Sequence, residues 1–241
     1  MPLFKLDAVW NLGRAGSFLP GAFFSFFNTA VGAGALDLNT TGTENTANGT
    51  AALEFNSTGD RKTATSAAAL SFNTTGTENT ANETAALEFN STGDRNTATG
   101  AFALFSNTTG GSNTANGSQA LVNNTTGNQN TANGFQALLS KTVGDSNAAT
   151  GNNALVSDTE GDFNTATGDS ALHNNNTTGS SNTVSALPGN TTGNNNTAAG
   201  FHALTSNSTG DNSFHGAILR CENFWPQNGA ILRHAARILN G

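Results

Sequence analysis

The chain has 241 residues, enough for one large domain or two small ones, yet only 35% are hydrophobic and 10% charged. A net charge of −7 and a pI near 4.8 argue against a phosphate-backbone partner, because nine Lys and Arg form no basic stripe to release counterions. Cys221 is the single cysteine, which excludes an intramolecular disulfide and disfavours a thiolate metal cluster.

Residues 1–27 form a hydrophobic N-terminal segment. Lys5 and Arg14 precede the apolar stretch Phe18-Leu-Pro-Gly-Ala-Phe-Phe-Ser-Phe-Phe27, and two readings stand: a weak secretion signal, or an apolar cap on the segment that begins at Asn28. Cleavage after Ala35 would cut through an ordered motif that starts at Asn28, which counts against the signal. No apolar run is long enough to span a bilayer as a helix.

Residues 28–216 repeat one motif, Asn-Thr-Ala-x-Gly-x-x-Ala-Leu-x-x-Asn-Thr-Thr-Gly-x-x. It starts at Asn28, Asn45, Lys62, Asn79, Asn96, Asn113, Asn130, Asn147 and Asn164, a period of 17, then slips to Asn182, Asn196 and Asn212. A fixed short period makes each unit one supersecondary element stacked on its neighbours. Gly at the fifth and fifteenth positions opposes a helix, and Asn-Thr-Thr-Gly is turn chemistry ending in a residue free to take positive φ. The segments between are short enough only for solenoid strands. The expected fold is all-β, a single-stranded β-solenoid or β-roll of about 12 coils, forming a rod of roughly 55–60 Å at the spacing of neighbouring strands.

Stacking turns every position into a row. Ala30, Ala47, Ala64, Ala81, Ala98, Ala115 and Ala132 form one inward row, and Leu36, Leu53, Leu70, Leu87, Leu104, Leu121, Leu138, Leu155, Leu172 and Leu204 another. Asn rows, such as Asn79, Asn96, Asn113 and Asn130, or Asn56, Asn73, Asn90 and Asn107, are expected to bond amide to amide between coils. One Leu and one or two Ala per coil is a thin core against the entropy of ordering it, so assembly with other chains is expected.

Segments such as Asn113-Thr-Ala-Asn-Gly-Ser-Gln-Ala-Leu and Asn196-Thr-Ala-Ala-Gly-Phe-His-Ala-Leu resemble the head repeats of trimeric autotransporter adhesins, and similar repeats occur in phage tail fibres. The resemblance covers residues 28–216 and implies a left-handed β-roll, a homotrimer and an extracellular or cell-surface location. The usual family repeat is shorter, about 14 residues, so handedness and cross-section are open to change. No heptad stalk, anchoring barrel or tail-fibre chaperone domain is recognisable: the chain reads as a head without its anchor.

Residues 39–72 and 73–106 are nearly identical, a tandem duplication that suits a modular rod better than an active site. Lys62, Ser66 and Glu83 break the consensus, and a kink is expected over 182–196. From Ala230 to Leu239 the apolar residues follow helical spacing, so residues 217–241 are expected to form a short helical cap or amphipathic helix.

Candidate chemistry is sparse. His173, His202, His215 and His234 are scattered, and the recurrent acids Glu44, Asp60, Glu78, Asp94, Asp145, Asp162 and Asp211 lack the known calcium-repeat pattern. No catalytic triad, phosphate loop or dinucleotide fingerprint is present, so no enzyme, cofactor or metal is expected. The expected function is a structural or adhesive module presenting polar rows to matrix, host or neighbouring cell. The candidate binding rows are Thr29, Thr46, Thr63, Thr80, Thr97, Thr114 and Thr131, and Thr41, Thr58, Thr75, Thr92, Thr109 and Thr126. A phage tail-fibre-like shaft and an ice-binding solenoid are the alternatives. Ice binding is disfavoured on the reading that the sequence lacks the paired Thr-x-Thr that would set two Thr rows side by side, while adjacent Thr40 and Thr41 should point to opposite sides.

Overall fold

The computed structural model describes residues 27–173, 178–185, 193–199, 211–212 and 214–215. The N-terminal segment up to residue 26, the helix expected over 217–241, and His202 and His234 lie outside the described residues.

The described chain is an all-β solenoid built on one parallel sheet. Its strands are β1 (Thr29–Val31), β2 (Thr46–Asn48), β3 (Thr63–Thr65), β4 (Thr80–Asn82), β5 (Thr97–Thr99) and β6 (Thr114–Asn116). Next come β7 (Thr131–Asn133), β8 (Ala148–Thr150), β9 (Thr165–Thr167), β10 (Thr183–Val184), β11 (Thr197–Ala198) and β12 (Phe214–His215). Strand order equals chain order, because each coil returns the chain to the sheet beside its own preceding pass. From β1 to β9 the register advances one repeat at a time, Thr29 opposite Thr46 and Thr46 opposite Thr63. β10 still pairs Thr183 with Thr165 and with Thr197, so the register is kept through the irregular unit. The last restart differs from expectation. Thr197 pairs with Phe214, so Asn212 is the corner residue before the strand, at φ 57°, rather than the Asn that heads it.

Inside, the strand's middle residue faces the core, and its two neighbours face out, as a period of two requires. Ala47, Ala64, Ala81, Ala98 and Ala115 are buried in this row. Two further rows complete the core: Ala52, Ala69, Ala86 and Ala103, and beside them Leu53, Leu70, Leu87 and Leu104. The Ala and Leu rows read from the sequence are therefore inward in the described coils, with Ala30 and Leu36 of the first coil half-buried and Leu204 outside the described residues.

The limb carrying Leu is not a strand. It is a ribbon of overlapping turns in which Leu53, Leu70, Leu87 and Leu121 sit in the left-handed region, each near φ 52°. That conformation costs a non-glycine residue roughly 1–2 kcal/mol. Full burial of Leu returns about 1.5–3 kcal/mol, and each amide is satisfied on the next coil: Leu53 N–H donates to Ala69 O at 3.0 Å, and Leu70 N–H to Ala86 O at 3.0 Å. The strain is thus repeated once per coil and offset once per coil.

The glycine of Asn-Thr-Thr-Gly was expected to supply positive φ, and it does not. A Cβ on Gly76 would lie 2.4 Å from Gly93 O and 2.7 Å from Asn73 Oδ1, so glycine is required there by close approach between coils. Positive φ falls two residues later instead, on Arg61 (54°), Glu78 (58°), Arg95 (57°) and Ser112 (59°).

Candidate functional site

A depression lined by Thr92, Asp94, Arg95, Thr109 and Asn128 is open and polar, and the described surface is organised in rows.

The two predicted Thr rows occupy different limbs. Thr29, Thr46, Thr63, Thr80, Thr97, Thr114 and Thr131 open strands β1 to β7 and face outward beside a buried Ala; Thr63, Thr80, Thr97 and Thr114 are half-buried and the others exposed. Ala148 replaces Thr at this position in β8. Thr41, Thr58, Thr75, Thr92, Thr109 and Thr126 lie in the turn limb and are all exposed.

Thr-x-Thr pairs, expected to be missing, are present. Thr63 and Thr65, Thr97 and Thr99, and Thr165 and Thr167 flank a buried Ala on one outward face. They alternate with Thr-x-Asn in β2, β4, β6 and β7. The variable fourth position of the motif hides this pairing when only the consensus is read.

A neighbouring hydroxyl row is structural. Thr40, Ser57, Thr74 and Thr108 donate from their side chains to the carbonyls of Ser57, Thr74, Ser91 and Thr125 at 2.6, 2.9, 3.0 and 3.0 Å. The acidic corner row is engaged in the same way. Asp60, Asp94, Asp145 and Asp162 each accept a backbone N–H from the preceding coil at 2.6–2.7 Å. Glu78 bridges Arg61 and Arg95 at 2.9 and 3.6 Å on the surface, where such pairs contribute little. Among the described residues, no three His, Cys, Asp or Glu group together as a metal site, and no helix is long and apolar enough to cross a membrane.

One row was not singled out from the sequence. Leu38, Phe55, Phe72 and Phe89 succeed one another at the eleventh position and remain exposed. Phe55 and Phe72 stack at 4.8 Å with planes 5° apart, and Phe72 and Phe89 at 5.2 Å and 8°. The row then crosses to the tenth position: Phe89 meets Phe105 edge-on at 4.8 Å, and half-buried Phe105, Val122, Leu139 and Val156 continue it. The duplicated blocks carry this swap, Ser71-Phe72 in the first and Phe105-Ser106 in the second. Burial beside the row pushes the Glu88 carboxyl upward.

The Asn rows are buried and bonded amide to amide. Asn56 Nδ2 donates to Asn39 Oδ1 at 2.6 Å, Asn90 to Asn73 at 2.7 Å, Asn107 to Asn90 at 2.6 Å and Asn124 to Asn107 at 2.7 Å. The Asn that heads each coil works differently: its Oδ1 accepts the next coil's backbone N–H, as Asn96 N–H to Asn79 at 2.8 Å. Both Asn of one coil converge on one glycine carbonyl. Asn79 and Asn90 reach Gly93 O at 2.7 and 2.9 Å.

Two lysines enter these rows and are buried. Lys62 takes the place of a heading Asn, and its Nζ donates to Asn56 Oδ1 at 2.6 Å and Gly76 O at 3.0 Å. Burial lowers it to about 7, against the pull of Asp60 and Asp94. Lys141 takes the place of a twelfth-position Asn and meets Asp158, in the same row one coil on, at 3.2 Å. The substitution leaves Asn124 Oδ1 buried without a partner. Aligning the repeats would have placed Lys141 against Asp158, since they stand 17 residues apart.

No protein-family model, curated protein or solved structure matches this chain.

Proposed function

We propose that this chain is a non-enzymatic structural or adhesive surface module that acts as a bundle of parallel rods, three copies side by side. The observation that carries the reading is the exposed apolar row from Leu38 through Phe55, Phe72 and Phe89, continued by Phe105, Val122, Leu139 and Val156 along the rod. A soluble monomer rarely leaves a long contiguous apolar stripe in water. The core of one coil is a Leu and two Ala, so covering the stripe adds the burial that a single rod lacks. Phenyl rings stacked face to face within a chain present their edges outward, which suits packing against another aliphatic and aromatic stripe. The strand and turn Thr rows then point away as repeated hydroxyl surfaces for matrix, host or neighbouring cell, in an extracellular setting.

Sedimentation equilibrium with light scattering tests the assembly. The expectation is a trimer that Phe72→Ser and Phe89→Ser together weaken at least tenfold in dissociation constant. A concentration-independent monomer would remove this reading. Attachment is tested by binding to matrix-coated surfaces, with Thr58→Ala and Thr75→Ala as the paired variant.

The Thr-x-Thr pairs favour a second reading, ice binding by the outward face of the sheet. Rows of hydroxyls at the strand spacing of about 4.8 Å form a regular lattice. Thermal hysteresis from the purified chain separates this reading from adhesion, and its absence ends it.

A further inference from the structure

The twelfth-position Asn row is interrupted in two successive coils, by Lys141 and then Asp158. Lys141 Nζ lies 3.2 Å from Asp158 Oδ2, and neither side chain has any exposed surface. The carboxyl is held by donors on both oxygens: Gly161 N–H reaches Oδ1 at 2.9 Å, and Asn164 Nδ2 approaches Oδ2 at 3.4 Å. Lys141 Nζ is itself aimed by a hydrogen bond to Gly161 O. From this geometry we infer that Lys141 and Asp158 condense into an intramolecular isopeptide bond that ties two adjacent coils together.

The reaction needs a neutral amine, a protonated carboxyl, a donor for the developing oxyanion, and little water. Burial supplies the first two by disfavouring both charges: it lowers Lys141 and raises Asp158 to about 6, each against the attraction of the other. The ammonium passes one proton to Oδ2 along the existing contact, leaving an amine and a carboxylic acid. Nζ then attacks Cγ, and the negative charge gathers on Oδ1, where Gly161 N–H already donates. The tetrahedral adduct returns a second proton from nitrogen to Oδ2. The Cγ–Oδ2 bond breaks, Oδ2 leaves as water, and the Cγ–Oδ1 double bond re-forms. One C–N bond is made, one C–O bond is lost, and no oxidant or co-reactant takes part. The fixed 3.2 Å approach supplies the proximity that makes such a step effectively unimolecular.

Lys62 is the internal control. Its amine is also buried and close to an amide, Asn56 Oδ1, at 2.6 Å. That carbonyl belongs to a poorer electrophile whose Nδ2 is committed to Asn39 Oδ1 and Gly59 O, and it has no acidic proton to offer the leaving nitrogen. Condensation there would release ammonia, whereas Lys141 and Asp158 release water.

Intact-mass spectrometry of the full folded chain reads the difference directly. The expected mass is one water below the sequence value, with a branched peptide joining the segments that carry Lys141 and Asp158 after digestion. Lys141→Met and Asp158→Ala are each expected at their full sequence mass. An unmodified wild-type mass, a loss of ammonia, or a water loss mapped to another site would overturn the inference. The branched peptide in the wild-type chain decides the matter even where a variant fails to fold.

Discussion

Lys62 and Lys141 stand in two buried polar rows of one solenoid and meet opposite circumstances. Lys62 finds two carbonyl oxygens and no carboxylate in contact, and burial brings it to about 7. Lys141 finds Asp158 in the next coil, with Gly161 and Asn164 also donating to its carboxylate. The lesson is that an Asn row tolerates a lysine in two ways: by letting it shed its charge, or by changing the next coil as well. Only the second specifies a neighbour. In a chain whose residues 39–72 and 73–106 are nearly interchangeable, a stack displaced by two coils would lose few native contacts in that region. Lys141 requires Asp158 above it and no other coil supplies an acid in that row among the described residues, so the pair keys the register.

The largest expected effect comes from breaking the paired site on one side. Asp158→Ala leaves Lys141 buried without its partner and, measured against the chain whose pair has not condensed, should cost about 3–5 kcal/mol by chemical denaturation. Replacing both, Lys141→Asn with Asp158→Asn, rebuilds the amide row and gives Asn124 Oδ1 its missing donor. The double variant should therefore exceed the single one in stability by at least about 3 kcal/mol; a double variant as weak as the single one would mean that the pair is not the unit.

At the unpaired site the effect is a pH dependence. Lys62 has a folded value lowered to about 7, so between there and its unfolded value near 10.5 the unfolded chain binds more protons. Stability must then rise with pH across that window, with the penalty fully present below 7 and gone above the unfolded value. The rise is on the order of 5 kcal/mol at most, at about 1.4 kcal/mol per pH unit. Lys62→Asn should be more stable at pH 7 and lose this slope, which urea titrations at several pH values would show.

The smallest effect sharpens the contrast between polar rows and backbone strain. Ser66 and Glu83 hold φ of 111° and 92° at a position where Gly49 and Gly117 adopt 149° and 138°. A Cβ on Gly49 would lie 2.4 Å from Ser66 O, so this corner is built for glycine. Glu83→Gly should raise stability by about 1 kcal/mol despite greater freedom in the unfolded chain. Thermal unfolding would report it, and a loss of stability would show that the coil has adapted to its side chain.

Much of this architecture was legible because a strict period makes each residue's neighbour a copy of itself. Ala47, Ala52 and Leu53 had to face inward, since these apolar positions recur in phase, and Asn56 and Asn73 had to meet as amides. The departures were less legible where meaning depends on angle or contact. Leu53 carries no sign in its identity that it will sit at φ 52°, and Gly76 is glycine for a neighbour's carbonyl rather than for its own dihedral. The aromatic row was missed because it changes position at Phe105, so no single column of the repeat contains it. Lys141 and Asp158 were visible in principle, but each reads as an ordinary charged residue until the rows are stacked.

By itself, then, the sequence determined the parallel stacking of coils, the inward Ala and Leu rows and the Asn ladders, because periodic identity repeats the same local energetics at every turn. Only the tertiary structure decided which carbonyl each amide reaches, where left-handed residues are tolerated, and that Lys141 faces Asp158 in a site closed to water. Those outcomes depend on distances of a few ångströms between coils, and the order of residues along one coil does not contain them.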